Sequence, residues 1–178
     1  MWTSLETHSH VIHIVHIWGD VMEKFMRLLH PKSINYEADR IDGGQPSMTA
    51  QDILLAMSFA KLTRLQDNLI RLKYFGANTK SNVQIFSEIL VGKYEQQFTD
   101  AGVNQIYHQS IVLIALTEFC LVPASYKPTE RARASICGWS DTTVRNHMKI
   151  WVGSTLKDLN AELAFGEDKI FTCISKSK

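Results

Sequence analysis

Cysteine is scarce in this sequence, and its spacing argues against two architectures. Cys120, Cys137 and Cys173 lie far apart, are odd in number and form no C-x-x-C pair. Such spacing supports neither a disulfide framework nor a zinc site with paired ligands. A reducing compartment fits best, so we expect a cytoplasmic protein whose cysteines pack as small core residues. We predict no metal ion and no other cofactor.

Long apolar runs are also missing. No stretch approaches the roughly 20 residues that span a bilayer, and the intensely apolar segment Ile111–Leu116 is short and typical of a buried helix. No basic segment precedes an apolar one at the N-terminus, which argues against a signal peptide. We therefore expect no membrane partner.

The motifs of common enzyme classes are absent too. The sequence contains no G-x-S-x-G elbow, no P-loop, no H-E-x-x-H helix and no cluster of carboxylates. We therefore predict that the protein is not an enzyme and has no catalytic residues.

Histidine is concentrated near the N-terminus, at His8, His10, His13 and His16. We interpret residues 1–25 as a His-rich leader that is appended or poorly ordered. Two alternatives stay open. One is a short helix or strand that packs its Val and Ile side chains, and the other is a metal site, although no carboxylate lies among these histidines.

Charge is nearly balanced over the whole chain but not along it. The net charge of +1 means that any nucleic-acid surface must come from a local concentration of basic residues. Residues 127–149 hold five basic and two acidic side chains, a local charge of five minus two, or +3. The 45% of hydrophobic residues predicts a globular chain with a real core.

Hydrophobic periodicity predicts an all-α protein, a compact helical bundle with a C-terminal helix-turn-helix. Residues 50–76 form one helix or two, with a kink near 61–64, and a further helix spans 80–98. The helix over 103–122 is apolar nearly all round and belongs at the centre of a bundle. We divide the rest of the chain into a helical body over 26–122, a DNA-binding region over 123–165 and a tail over 166–178.

The segment 129–156 has the spacing of a helix-turn-helix. Ala134 is small enough to let a second helix approach, and Gly138 supplies the backbone conformation of a tight turn. Ser140 is the expected N-cap of the second helix. Trp139 and Val144 are predicted to pack between the two helices. Two further side chains are predicted to face the core: Ile136 and Ile150.

The second helix carries side chains suited to contacting bases. Arg can contact guanine bidentately, Asn can do so with adenine, and Thr can meet a thymine methyl group. We therefore predict that Thr142, Arg145 and Asn146 contact bases. We predict phosphate contacts for Arg131, Arg133 and Lys149, and the predicted DNA-binding set also includes Ser140 and Thr143. Arg133 and Cys137 occupy positions where such motifs usually present larger apolar side chains.

Further short segments resemble a known family. They are His30-Pro31-Lys32-Ser33, the run SMTAQDILLAM over 47–57, Gly92-Lys93-Tyr94 and the apolar helix around 114–120. Together with the helix-turn-helix, they resemble the late antitermination protein Q family of lambdoid bacteriophages over roughly residues 26–160. Better-known members hold zinc through paired cysteines, whereas residues 123–128 contain none, so the resemblance implies a divergent, zinc-lacking member.

The resemblance implies a phage regulator in the cytoplasm of a bacterial host cell. It would bind double-stranded DNA at the late promoter and engage paused host RNA polymerase, which then transcribes through terminators into late genes. The residues alone leave two alternatives open: a helix-turn-helix repressor or activator, and a helical adaptor that does not bind DNA. Many helix-turn-helix proteins dimerise, but this sequence has no heptad repeat of apolar residues that would predict a dimer.

Overall fold

The fold comes from a computed structural model, which describes residues 50–121 and 126–176. Every regular element in these two ranges is helical and none is a strand, so the predicted all-α class is confirmed. The interpretation of residues 1–25 as a leader lies outside the described residues.

The helices follow one another with short connections. In chain order they are α1 (Ala50–Phe59), α2 (Arg64–Tyr74), α3 (Lys80–Asp100), a 3₁₀ turn (Gln105–Tyr107), α4 (His108–Cys120), α5 (Glu130–Cys137), α6 (Asp141–Thr143), a π-helical turn (Val144–Met148) and α7 (Lys149–Lys176).

The chain forms two compact units. Of the described residues, the first unit comprises 50–64 and 166–176, and the second comprises 65–121 and 126–165. The described part of the predicted helical body is divided between the two units, and the described part of the predicted DNA-binding region belongs to the second.

The described part of the first unit consists of α1, the connection after it and the last part of α7. Its buried side chains include Ile53 in α1 and Ile170 in α7, both 0% exposed. Residues 166–176, assigned to a tail from the sequence, continue α7 as regular helix. The Lys169 ammonium lies 3.5 Å from the backbone oxygen of Lys61.

Residues 50–76 form two helices, which decides between the two alternatives left open. Lys61, in the connection between them, has a left-handed backbone with φ 48°. That conformation is incompatible with a continuous helix. After α2 the chain turns at Gly76, with φ 68°, as the predicted end of this helical region requires.

Helices α3 and α4 build the core of the second unit. The α3 side chains Val83, Leu90, Tyr94 and Phe98 recur at helical spacing and are at most 5% exposed. Nearly every α4 residue from 111 to 120 is buried, so the prediction of a central helix is confirmed. Burying an Ile or Leu side chain contributes about 1.5–3 kcal/mol. Because α4 buries several such side chains, it is the main hydrophobic element of this unit.

The first half of α7 is attached to α3 by polar and aromatic contacts. Asp158 accepts hydrogen bonds from Tyr94 at 2.7 Å and from Lys93 at 3.1 Å. The ring of Trp151 meets that of Phe98 edge-on, with 6.1 Å between centroids. These contacts hold the helix that follows the turn at 138–140 against the core.

Within the two ranges that the structure describes, no helix combines the length and the apolar character that a membrane span requires.

Candidate nucleic-acid interface

Helix α5 begins with a side-chain cap. The hydroxyl of Thr129 accepts a hydrogen bond from the backbone N–H of Ala132 at 3.1 Å. Glu130 follows in the first turn, where a carboxylate interacts favourably with the helix dipole. The side-chain cap therefore fixes the residue at which α5 starts.

Gly138 ends α5 in the predicted conformation. Its φ is 74°, in the left-handed region, and its N–H donates to the oxygen of Ala134 at 2.8 Å. A Cβ at this position would meet no atom within 4 Å, so the requirement for glycine comes from the backbone and not from space. Ala134 itself is buried, with 5% of its surface exposed.

Ser140 caps the next helix, as predicted. Its Oγ accepts from the N–H of Thr143 at 3.1 Å and shares a second hydrogen bond with the Thr143 hydroxyl at 2.8 Å. From Asp141 the backbone continues without a break through α6, the π-helical turn and α7. The two hydroxyls predicted as DNA ligands thus use hydrogen bonds to hold the start of this helix.

The helix that starts at Asp141 has one buried side and one exposed side. Val144, Met148 and Val152 are each 0% exposed and lie four residues apart. A purely α-helical turn holds 3.6 residues, and the wider π turn at 144–148 keeps residues four apart on the same side. The exposed residues between 141 and 150 are Asp141, Thr142, Arg145, Asn146, His147, Lys149 and Ile150.

The structure thus brings the three residues predicted to contact bases onto one exposed surface. Thr142 and Asn146 are four residues apart on the exposed side, and Arg145 adjoins Asn146 there. We call this exposed side, from Asp141 to Ile150, the 141–150 face. Arg131 is also exposed, on α5.

The prediction that Ile150 faces the core is wrong, because its side chain is 78% exposed. It lies two positions from both Met148 and Val152, and two positions along a helix lead to the opposite side. Ile136, predicted to face the core with it, is half-buried.

Val144 is buried as predicted, whereas Trp139 is half-buried and its contacts reach back toward the start of α4. Its indole N–H donates to the Ser110 hydroxyl at 3.1 Å, and its ring meets Tyr107 edge-on at 5.2 Å. Tyr107 also stacks on His147, with 5.4 Å between ring centroids. These aromatic contacts join the turn, the π-helical segment and the start of α4.

Arg145 and Lys149 share one carboxylate. The Arg145 Nε lies 2.7 Å from one oxygen of Glu130, and the Lys149 Nζ lies 3.1 Å from the other. The hydrogen bond from Arg145, followed by that from Lys149, lowers the pKa of Glu130 below its ordinary value. Both cations nevertheless stay more than half exposed, at 60% and 56% of their side-chain surface.

Arg133 does not join the other predicted DNA ligands. Its guanidinium makes two hydrogen bonds to the carboxylate of Glu118 on α4, at 2.6 and 3.0 Å. Only 13% of the Arg133 side chain and 5% of the Glu118 side chain are exposed. A phosphate contact, as predicted for Arg133, would require this buried pair to separate, so we assign Arg133 a structural role.

Tyr126 also contacts this buried pair, since its hydroxyl donates to Glu118 at 2.9 Å. Burial first, and then the hydrogen bond to the Glu118 carboxylate, raise the pKa of Tyr126. The hydrogen bond with Glu118 likewise raises the pKa of Arg133. Sequence reasoning missed Glu118, although it is the only charged residue between positions 111 and 120, and a charge in a buried helix requires a partner.

Among residues 50–121 and 126–176, no three His, Cys, Asp or Glu side chains come together as a metal-binding group. No protein-family model, curated protein or solved structure matches this chain. The resemblance to the antitermination family therefore stays a prediction.

Proposed function

We propose that this chain binds double-stranded DNA through a helix-turn-helix, with α5 as its first helix and the helix from Asp141 as its recognition helix. The single observation that supports this most strongly is the 141–150 face. It presents Thr142, Arg145 and Asn146 to solvent, while the opposite side of the same helix is fully buried. A rigidly held helix with exposed hydrogen-bonding side chains is what entry into a major groove requires.

The proposed roles follow from exposure. Arg145, Asn146 and Thr142 contact base edges, and Lys149 and Arg131 contact phosphates. Two hydroxyls, those of Ser140 and Thr143, fix the start of the recognition helix through their mutual hydrogen bonds. Arg133 acts through its contact with α4 and positions α5.

The test begins by selecting bound sequences from a pool of random duplexes. We then expect Arg145→Ala with Asn146→Ala to weaken binding to the selected duplex by about 1–3 kcal/mol per lost base contact. Lys80→Ala, an exposed α3 position outside the 141–150 face, removes the same charge and serves as the control. If the folded double variant binds with unchanged affinity and selectivity, the assignment of the recognition helix is wrong.

We further propose that the chain acts in a bacterial cytoplasm as a transcription antiterminator and that host RNA polymerase is its second partner. The support is the family resemblance described above, together with the proposed DNA-binding unit. A terminator read-through assay with purified polymerase tests it. Increased read-through on a template with the selected site supports antitermination, whereas repression or activation at the promoter without read-through supports the alternative regulator.

A helical adaptor is the second candidate function, and one observation favours it. Ile85 and Ile89, four residues apart on α3, are 55% and 68% exposed. They line a groove together with Leu72 and Phe86, and exposed apolar surface of this kind suits a protein partner. Absence of salt-dependent DNA binding would favour the adaptor over the DNA-binding regulator.

A further inference from the structure

Glu130 occupies a special place between the two helices of the proposed DNA-binding unit. It is the first residue of α5, and its carboxylate reaches across to the helix that follows the turn. Each of its oxygens accepts a hydrogen bond from a different cation, Arg145 at 2.7 Å and Lys149 at 3.1 Å. One carboxylate thus pairs with two of the side chains proposed to contact DNA, and the three groups together keep a net charge of +1.

We propose that Glu130 is the resident counter-anion of the 141–150 face, held by Arg145 and Lys149 until DNA displaces it. This inference rests on the proposed function. A carboxylate and a phosphodiester are both oxygen acceptors for the same guanidinium and ammonium donors. DNA therefore has to exchange places with Glu130 before these two cations can engage it.

The exposure of the three side chains makes this exchange easy. Arg145 and Lys149 keep 60% and 56% of their side-chain surface in solvent, and Glu130 keeps 25%. Ion pairs this exposed contribute little to folding stability, because water and salt screen them. Separating these ion pairs during DNA binding therefore costs little free energy, whereas separating the buried pair of Arg133 and Glu118 costs more.

The consequence is weaker binding to DNA of any sequence. Binding to arbitrary sequence depends almost entirely on the attraction between basic side chains and phosphates. Binding to a specific site adds base contacts, among them the one proposed for Arg145, and Glu130 holds that side chain as well. Glu130 therefore opposes both kinds of binding, and a duplex of arbitrary sequence, which gains no base contacts, reports its electrostatic effect most directly.

The experiment compares wild type, Glu130→Gln and Glu95→Gln by fluorescence anisotropy across a series of salt concentrations. The probes are a labelled duplex of arbitrary sequence and the selected duplex. Glu95 is an exposed α3 residue, so its variant makes the same change in net charge outside the 141–150 face. We expect Glu130→Gln to bind the arbitrary duplex about three- to tenfold more tightly at ~0.1 M salt and to steepen the salt dependence by about one unit. Glu95→Gln should change both quantities less.

The outcomes separate this inference from the function on which it rests. If wild type binds no duplex, the proposed function fails and the inference fails with it. If wild type binds but Glu130→Gln binds the arbitrary duplex no more tightly than Glu95→Gln, only the inference is overturned. Weaker binding by a folded Glu130→Gln variant overturns it as well, because Glu130 would then hold the cations in place for DNA. Glu130→Ser, which also removes the carboxylate, must agree with Glu130→Gln.

Discussion

The guanidinium of Arg133 on α5 and the carboxylate of Glu118 on α4 form a paired, largely buried contact, with hydrogen bonds of 2.6 and 3.0 Å. The pair explains how α5 can carry Arg at a position where the predicted helix-turn-helix usually holds an apolar side chain. Glu118, on the central helix α4, neutralises the charge of Arg133. At this position α5 is therefore held against the core by an ion pair in place of apolar packing.

The first prediction concerns the stability that depends on this pair. Arg133→Met leaves a buried carboxylate without its cation, and such a change costs about 3–5 kcal/mol. Glu118→Gln together with Arg133→Met removes both charges and retains an acceptor for Tyr126, so its cost should be about 2 kcal/mol or less. Urea denaturation measures both. A single variant as stable as wild type would show that the pair does not hold α5.

The second prediction separates a positioning arginine from a phosphate contact. Lys149→Ala should reduce the salt dependence of DNA binding by about one unit, because one phosphate contact is lost. The double variant Glu118→Gln with Arg133→Met should leave the salt dependence unchanged, since Arg133 is largely buried against Glu118 and is not proposed to contact phosphate. A decrease like that of Lys149→Ala in this double variant would return Arg133 to the DNA-binding set.

The third prediction concerns the turn at Gly138. Gly138→Ala should destabilise the protein by about 1–2 kcal/mol, because a residue with a Cβ is strained at φ 74°. Gly153→Ala is the matched control, since Gly153 lies within α7 and a Cβ there also meets no atom within 4 Å. That substitution should stabilise the helix by up to about 1 kcal/mol. Thermal unfolding measures both changes, and equal effects at the two positions would contradict the requirement for a left-handed backbone.

The fourth prediction uses the burial of Cys120. Burial raises the pKa of its thiol to about 12, although the nearby Lys73 opposes the shift. At pH 8 the reactive thiolate is therefore very rare in the folded protein, whereas an unfolded cysteine has a pKa of about 8.5. In a variant with Cys137→Ser and Cys173→Ser, we expect a thiol reagent to label the folded protein at least about a hundredfold more slowly than the unfolded one. Equal labelling rates would show that Cys120 is accessible.

Local signals in the sequence predicted the features that depend on local chemistry. Gly138 ends α5, Ser140 caps the next helix, and α4 is buried, because backbone conformation, capping and continuous apolarity are each properties of a few neighbouring residues. The division of 50–76 into two helices stayed open, since no glycine or proline marks the break at Lys61.

Several features that depend on contacts between helices were not predicted. The partner of Arg133 lies 15 residues earlier, on another helix, and is reached only through tertiary packing. The shared contacts of Glu130 likewise depend on the path of the turn at 138–140. The π-helical turn has no sequence signal of its own. The predicted burial of Ile150 is wrong because this position lies on the exposed side of the helix.

DNA binding through the 141–150 face is tested most directly by titrating the isotope-labelled protein with the selected duplex and monitoring NMR chemical shifts. We expect the largest changes on backbone amides between residues 139 and 150 and on the side-chain N–H of Arg145, and we expect them to diminish with added salt. Changes confined to the exposed α3 residues around Ile85 and Ile89, with residues 139–150 unaffected, would contradict binding through this face.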